Sequence, residues 1–318
     1  MKRLIAWIAI ALSCPPALAD DWPSRPVKIV VGTAPGGTMD KLARGLANHL
    51  SQRLGQPFVV DNRPGAGGTL AAELVATAPA DGYTLELTSA PTVSITPVLE
   101  KVRYQPIGDF EPIGSLGSQP YVLLVPYESK LRTANDVLAL ARANAGKFSY
   151  SSAGRGTGGH LSGELFSLIT GVPMLHVPYR GVAPAINDVV AGIVSVTFAT
   201  TSSSQGVVDA KKLRPIATTG SKRSPAYPDL PTMAEAGFPG CEISTWYGIS
   251  APAGTSKAIV ATANREINAF LADPRTQMDL ATDGISALGG SPDEFLRFQK
   301  ADQQRWRAVL EQAGLAAK

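Results

Sequence analysis

Short apolar runs recur along the first two thirds of the chain, and each ends at glycine, proline or a small polar residue. Runs of about four to eight apolar residues between turn residues indicate buried strands. They predict strands at 26–32, 57–60, 84–88, 121–125, 148–152, 174–177, 194–199 and 213–218. Apolar residues spaced three or four positions apart predict helices near 42–50, 65–75, 134–143, 161–169, 183–191, 259–271, 274–283 and 292–313. The alternation of strands and helices predicts an α/β fold with parallel, doubly wound sheets.

The alternating pattern starts twice, which predicts two α/β lobes rather than one continuous unit. Glycine and proline cluster at the two crossovers, 117–120 and 238–240. Because the chain crosses between the lobes twice, the N-terminal and C-terminal segments are expected to share a lobe. The predicted division places residues 20–119 and 242–318 in lobe 1 and residues 120–241 in lobe 2, with a two-strand hinge between them.

The N-terminus carries the features of an export signal and reads MKRLIAWIAIALSCPPALAD. Lys2 and Arg3 precede an apolar run that is too short to span a bilayer, which needs about 20 residues. Small residues at the end of this segment fit the cleavage rule, so residues 1–19 are predicted to be a signal peptide cleaved after Ala19. This predicts an exported protein. A buried N-terminal helix and a lipoprotein signal at Cys14 are the alternatives.

The charge balance argues against a nucleic-acid partner. Lysine and arginine number 29 against 26 acidic residues, a net charge of +3, whereas nucleic-acid binders usually carry a basic excess on one face. Hydrophobic residues make up 44% of the chain, which is enough to bury a sizeable core. After the predicted cleavage only Cys241 remains, so no intrachain disulfide is expected.

Three strand-to-helix loops share a composition of glycine, serine and threonine. They are residues 34–38, 89–92 and 152–157. At a helix start, backbone N–H groups lack partners and the dipole adds about half a positive charge, so such a loop binds carboxylate or phosphate without lysine or arginine. Ligands of open parallel sheets lie at the carboxyl ends of strands. The loops therefore predict an anion-binding cleft, and capped turns without a ligand are the alternative.

A dinucleotide site is only weakly indicated. Gly154, Gly156 and Gly159 match the glycine fingerprint between a strand and a helix, but the acidic residue expected about 20 positions later is absent, and Tyr179-Arg180 stands there. The three histidines also lack the spacing of metal ligands. We therefore expect neither a cofactor nor a metal.

An exported hydrolase with Ser152 or Thr157 as nucleophile is the alternative class. A serine or threonine nucleophile needs an adjacent base that is oriented by a third group. The sequence offers His160, three residues after Thr157 and on the same helical turn, with no acid to orient it. We therefore expect a protein that is not an enzyme.

Six segments together resemble the Bug family, the extracytoplasmic receptors of tripartite tricarboxylate transporters. They read WPSRPVKIVVGTAPGGTMD, DNRPGAGGTLAAELVATAPADGYTL, SSAGRGTGGHLSGELF, HVPYRGVAPAINDVVAG, KKLRPIATTGSKRSPAYPDLPTMAEAGFPG and WYGISAPAGT. The resemblance spans the predicted mature chain. It implies a two-lobed periplasmic binding protein of the second topological type that closes over a small organic acid, as a Venus flytrap does. It also implies delivery to integral membrane transporter subunits, no cofactor and no metal, and we expect a monomer.

The resemblance also implies the ligand-binding positions. They are Pro35, Gly36, Gly37, Thr38, Ser89, Ala90, Thr92, Ser152, Arg155, Gly156, Thr157, Tyr179, Ala199 and Thr200. The family commonly has Asp where this chain has Ala199, so we expect a plain carboxylate or an aromatic acid rather than an amino acid. Arg155 would favour a second anionic group if its side chain turned inward. A receptor that signals to a membrane sensor is a further alternative.

Overall fold

The computed structural model describes residues 22–312 and 314–316. The predicted signal peptide and its cleavage point lie outside these residues. The strands are β1 (Val27–Val31), β2 (Phe58–Asn62), β3 (Thr84–Ser89), β4 (Phe110–Pro126), β5 (Ser149–Ser152), β6 (Leu175–Pro178), β7 (Val196–Thr200), β8 (Leu213–Thr218), β9 (Ser244–Pro252) and β10 (Ser286–Ala287). The helices are α1 (Thr38–Leu54), α2 (Thr69–Ala76), α3 (Thr96–Leu99), α4 (Ala134–Ala143), α5 (Gly158–Thr170), α6 (Val182–Val190), α7 (Thr201–Asp209), α8 (Lys257–Ala272), α9 (Pro274–Thr282) and α10 (Pro292–Gln312). No helix in these residues is long and apolar enough to cross a bilayer.

The strands follow one path in which two parallel groups are joined by antiparallel strands. The order is β2-β1-β3-β9-β4-β7-β5-β6, and β8 and β10 also pair with β4. β1 runs parallel to β2 and β3, and β5 runs parallel to β6 and β7. We call these the N-terminal strand group and the central strand group. Each corresponds to one of the two predicted strand–helix blocks, so the predicted α/β class is confirmed.

β4 passes from one strand group to the other. Its residues from Phe110 to Pro120 pair with β9, and those from Tyr121 to Pro126 pair with β7 and β8. The apolar pattern predicts only residues 121–125 of β4 and none of β9, because glycine and proline at 112–120 indicate turns. Two register shifts accommodate these residues in the β4–β9 pair. The predicted crossover at 117–120 thus lies within a continuous strand, and the lobe boundaries stay a prediction.

The pattern predicts eight of the ten described helices, all but α3 and α7, and one buried face differs. Leu42, Leu46 and Leu50 of α1 are buried as their spacing predicts. In α2, Leu70 and Leu74 are exposed, whereas Ala71, Ala72 and Val75 are buried. Small side chains on the buried face let α2 pack closely on β3.

The C-terminal helix α10 packs against residues from both predicted lobes. Trp306 and Leu310 of α10 belong to one apolar cluster with Leu161 and Phe166 of α5 and with Val93, which follows β3. Each of these side chains is almost completely buried. α10 therefore links the core of the central strand group to the segment that follows β3.

Candidate functional site

The loop between β1 and α1, residues 34–38, is held by the helix that follows it. We call it the first loop. Gly37 is the N-cap of α1. Gly36 has a φ of +88°, which favours glycine, and its N–H donates to Asp40 Oδ2 at 2.9 Å. Hydrogen bonds from Arg44 hold the pKa of the buried Asp40 carboxyl below its usual range. Residues 34–37 are exposed around this fixed backbone, as a loop that meets a ligand must be.

The second loop, residues 89–92, leads from β3 into a helical turn at Pro91–Ile95 and then into α3. Ser89, Ala90 and Thr92 are all buried. The Thr92 hydroxyl donates to the Ser89 carbonyl oxygen at 3.1 Å, and the Tyr104 hydroxyl donates to the Thr92 carbonyl oxygen at 2.6 Å. The polar groups of the second loop thus bond largely to one another, and the loop forms a packed wall.

The third loop, residues 152–157, leads from β5 into α5, whose N-cap is Thr157. The Thr157 hydroxyl donates to the Gly154 carbonyl oxygen at 2.7 Å. Gly156 has a φ of +75°, and its N–H donates to Nδ1 of His160 at 3.2 Å. The Arg155 side chain is exposed. The third loop is therefore shaped by its glycines and held by a side chain from the first turn of α5.

The first and third loops each contact the opposite strand group. Thr38 Oγ1 lies 2.5 Å from Ser202 Oγ on α7, which directly follows β7. A Cβ atom on Gly156 would lie 3.1 Å from Leu99 Cδ1 and 3.8 Å from Thr96 Oγ1, both on α3. Both contacts join segments that the sequence divides between lobes. Both glycine loops therefore lie where the two strand groups meet.

Buried polar side chains on β4 and β9 lie along the floor of this region. Gln119 Nε2 donates to Ser202 Oγ at 3.2 Å, and Gln119 Oε1 accepts from the Tyr247 hydroxyl at 3.1 Å. Further along β4, the Tyr121 ring lies against Gly158, where a Cβ atom would approach its hydroxyl oxygen to 2.1 Å. Burial raises the pKa of Tyr121 to about 12, so its hydroxyl keeps its proton. Sequence reasoning missed Gln119, Ser202 and Tyr247. The one signal in the sequence that could have revealed part of this group is Gln119 itself, a lone polar residue beside an apolar strand.

The sequence and the overall fold are similar to those of known proteins. The family described as the tripartite tricarboxylate transporter family receptor matches residues 42–315. The chain belongs to this receptor family. The predicted resemblance to its members is thereby confirmed.

Three solved structures are similar to this receptor-family chain over nearly its whole length. An R. palustris protein solved with adipate is 38% identical, with a TM-score of 0.88 over 93% of this chain and 99% of that one. The periplasmic binding protein BugD is 33% identical, with a TM-score of 0.85 over 93% and 100%. MatC from Rhodopseudomonas palustris, with bound malate, is 30% identical, with a TM-score of 0.82 over 91% and 100%. These similarities confirm the predicted two-lobed binding-protein fold.

Three further positions implied by the family resemblance lie in or beside the central strand group. The Tyr179 hydroxyl donates to the Asp188 carboxylate on α6. Ala199 is buried in an apolar cluster. Thr200 is the N-cap of α7, and its hydroxyl lies 2.8 Å from Ser203 Oγ. The ligand roles of these positions stay predictions. The Tyr179 and Thr200 hydroxyls bond within the chain, and Ala199 packs in the core.

Ser152 has a partner that the sequence spacing did not reveal. Its Oγ lies 2.7 Å from Nε2 of His176 on β6, so a base is present where the hydrolase alternative lacked one. However, Ser152 is only 1% exposed, and its hydroxyl also lies 3.0 Å from the Gly154 carbonyl oxygen. A nucleophile must reach a substrate atom. The Ser152–His176 pair therefore shapes the third loop and does not present a nucleophile.

The part of the chain that the structure describes holds no group of three histidine, cysteine or acidic side chains that could bind a metal ion. Cys241 is buried, and burial raises the pKa of its thiol to about 12. A thiol that keeps its proton at neutral pH is a poor nucleophile and a poor ligand. Cys241 thus serves as a small core residue.

Proposed function

We propose that the protein is an extracytoplasmic receptor that binds a small organic carboxylate between its two lobes and delivers it to a tripartite tricarboxylate transporter. Membership of the receptor family supports the delivery step and the periplasmic location. The adipate and malate in two similar structures support a carboxylate ligand. We further propose a monomer that undergoes no covalent chemistry with its ligand.

One observation carries the proposal: glycine loops at two helix starts lie where the strand groups meet, and each loop contacts the opposite group. The first loop reaches α7 through Thr38 and Ser202, and the third loop reaches α3 at Gly156. Helix starts favour anions because their backbone N–H groups and dipoles point toward the ligand. A ligand held by both loops would favour the closed state, because some of its contacts exist only when the lobes meet.

The loop chemistry favours a plain carboxylate over an amino acid. The loop segments 35–38, 89–92, 152–157 and 199–203 contain no aspartate or glutamate. An ammonium group buried among them would lack a countercharge, which is costly. A micromolar site needs about 8 kcal/mol. A few hydrogen bonds to a charged carboxylate, each about 1.5–3 kcal/mol, together with apolar burial, supply that amount.

Titration calorimetry with a panel of dicarboxylates, aromatic acids and amino acids tests the proposal. We expect binding of adipate-like or malate-like dicarboxylates or of aromatic acids, and a smaller scattering radius for the bound protein. Tight binding of amino acids alone would contradict the ligand class. Turnover of ester or amide probes would revive the hydrolase. Capture of transporter subunits from membranes would support delivery to a transporter, and capture of a sensor would support signalling instead.

Thr38→Val is expected to weaken dicarboxylate binding about tenfold, the loss of roughly one hydrogen bond to a charged group. The substitution keeps the shape of the side chain and removes the hydroxyl that lies 2.5 Å from Ser202 Oγ. Thr77→Val is the matched control, because the Thr77 hydroxyl donates only to carbonyl oxygens of its own helix. Calorimetry on both variants makes the comparison. Equal affinities in the two would remove Thr38 from the site.

A further inference from the structure

The first and third loops are held by the same arrangement. In each, a glycine with positive φ donates its N–H to the side chain four residues later, in the first turn of the following helix. Gly36 donates to Asp40 Oδ2 at 2.9 Å, and Gly156 donates to His160 Nδ1 at 3.2 Å. Asp40 and His160 are both buried. The direction of each loop backbone is thus set by one buried acceptor.

The two acceptors differ in what a proton does to them. Asp40 is paired with Arg44, whose hydrogen bonds lower the pKa of the carboxyl, so this acceptor persists in mild acid. His160 accepts only while Nδ1 carries no proton, because a protonated imidazole has donors at both nitrogens. A protonated ring would place one N–H donor against the Gly156 N–H. The third loop would then lose the hydrogen bond that orients it.

The groups packed around His160 determine the pH at which its ring is protonated. Glu164 on α5 has Oε1 3.7 Å from His160 Nε2. The Tyr150 hydroxyl of β5 lies 2.5 Å from the same Oε1 and 3.2 Å from the His160 carbonyl oxygen. The His176 ring of β6 lies 4.1 Å away between ring centroids. Burial lowers the pKa of His160 from its ordinary 6.5, Glu164 raises it in part, and Arg155 of the third loop lowers it further. His160 is therefore neutral at pH 7 and able to accept.

We propose that His160 is a positioning residue that holds the third loop in its ligand-binding geometry, and that acid releases this half of the site while Asp40 keeps the first loop in place. The inference rests on the proposed function, since it concerns the same carboxylate site. It predicts that affinity is full above the ordinary histidine pKa of 6.5 and is lost as the pH falls through the pKa of His160, which lies below 6.5. Such a receptor would hold its ligand less tightly in an acidified exterior.

Two substitutions distinguish the effect of the hydrogen-bond acceptor from the effect of titrating the imidazole ring. His160→Asn keeps an oxygen near the position of Nδ1 and does not titrate, whereas His160→Leu removes the acceptor. With adipate as the probe at pH 7.5, we expect His160→Leu to bind about tenfold more weakly, as the loss of one hydrogen bond implies. His160→Asn should stay within about threefold of the unaltered protein. Between pH 7.5 and 5 the unaltered protein should lose affinity while His160→Asn does not, and this comparison also removes the titration of adipate itself.

A measurement without ligand keeps the test independent of the proposed function. Amide hydrogen exchange of residues 153–158 at pH 7.5 should be faster in His160→Leu and unchanged in His160→Asn. His49→Asn, on α1 and near Glu266 rather than near the loops, is the control for a histidine loss elsewhere. The inference is overturned if His160→Leu exchanges and binds as the unaltered protein does, or if His160→Asn loses affinity in acid equally. If no panel acid binds but exchange responds as expected, the proposed function fails and the positioning role stands.

Discussion

Glu86→Gln is expected to stabilise the protein by about 3 kcal/mol at pH 7. Glu86 lies in the middle of β3, between Val30 of β1 and Ser250 of β9, and is 2% exposed. The nearby Tyr104 hydroxyl donates to the Thr92 carbonyl oxygen instead. Burial raises the pKa of Glu86 to about 8 from an ordinary 4.5. The folded protein therefore holds this proton more tightly than the unfolded chain does.

The sign of the pH dependence follows from that difference. Because the folded state binds more protons, the free energy of unfolding falls as the pH rises from about 4.5 to about 8. Glutamine has nearly the same shape and does not titrate, so Glu86→Gln should lose this slope. Urea unfolding at pH 5, 6, 7 and 8 measures both effects.

Glu128→Gln is the control for the stability of Glu86→Gln, since Glu128 is exposed. We expect its unfolding free energy to stay within about 0.5 kcal/mol of the unaltered protein. A Glu86→Gln protein that is less stable at every pH would show that the carboxyl makes an interaction that glutamine cannot replace.

Gly158→Ala is expected to destabilise the protein by about 2–3 kcal/mol, the upper range for overpacking, and to weaken dicarboxylate binding at least tenfold. Gly158 is the first residue of α5, and its new Cβ atom would lie 2.1 Å from both Cζ and the hydroxyl oxygen of Tyr121. Tyr121 is buried in β4, where its backbone N–H donates to Thr219 Oγ1, so the ring has little room to move. Either the third loop or the floor of the site must shift.

A second glycine-to-alanine change isolates the steric cause. Gly206→Ala lies in α7, and its Cβ atom would meet nothing within 4 Å. Alanine favours a helix by about 1 kcal/mol over glycine, so this variant should be neutral or more stable. Urea unfolding and calorimetry on both variants give the comparison. Equal stability of Gly158→Ala and Gly206→Ala would mean that the Tyr121 ring moves aside at no cost.

The apolar pattern along the sequence predicted most of the helices and strands, but it did not predict the strands that join the two strand groups. The spacing of apolar residues located α4 and β8 to the residue, because burial on one side imposes a period on the sequence. The first half of β4 and all of β9 escaped prediction because their glycines and prolines resemble turns. Those residues are tolerated where the pairing shifts register, and only the partner strand reveals such shifts.

The loops of the site were predictable, whereas most of their partners were not. Glycine, serine and threonine before a helix start mark the first and third loops in any fold. Ser202, however, lies 164 residues from Thr38, and His176 lies 24 residues from Ser152. No local rule connects them. They meet because β4 and β7 pair, and β5 and β6 pair, in a particular register.

The sequence by itself determined the α/β class, the two strand–helix blocks and the glycine loops, since each depends on burial periodicity or on backbone conformation within a few residues. Only the tertiary structure decided that Ser202 meets Thr38 of the first loop, that Gln119 lies in the floor between the loops, and that Glu86 is buried in the sheet. Hydrogen bonding and desolvation depend on which groups surround an atom in space. Long-range strand pairing chooses those groups, and it leaves no periodic trace along the chain.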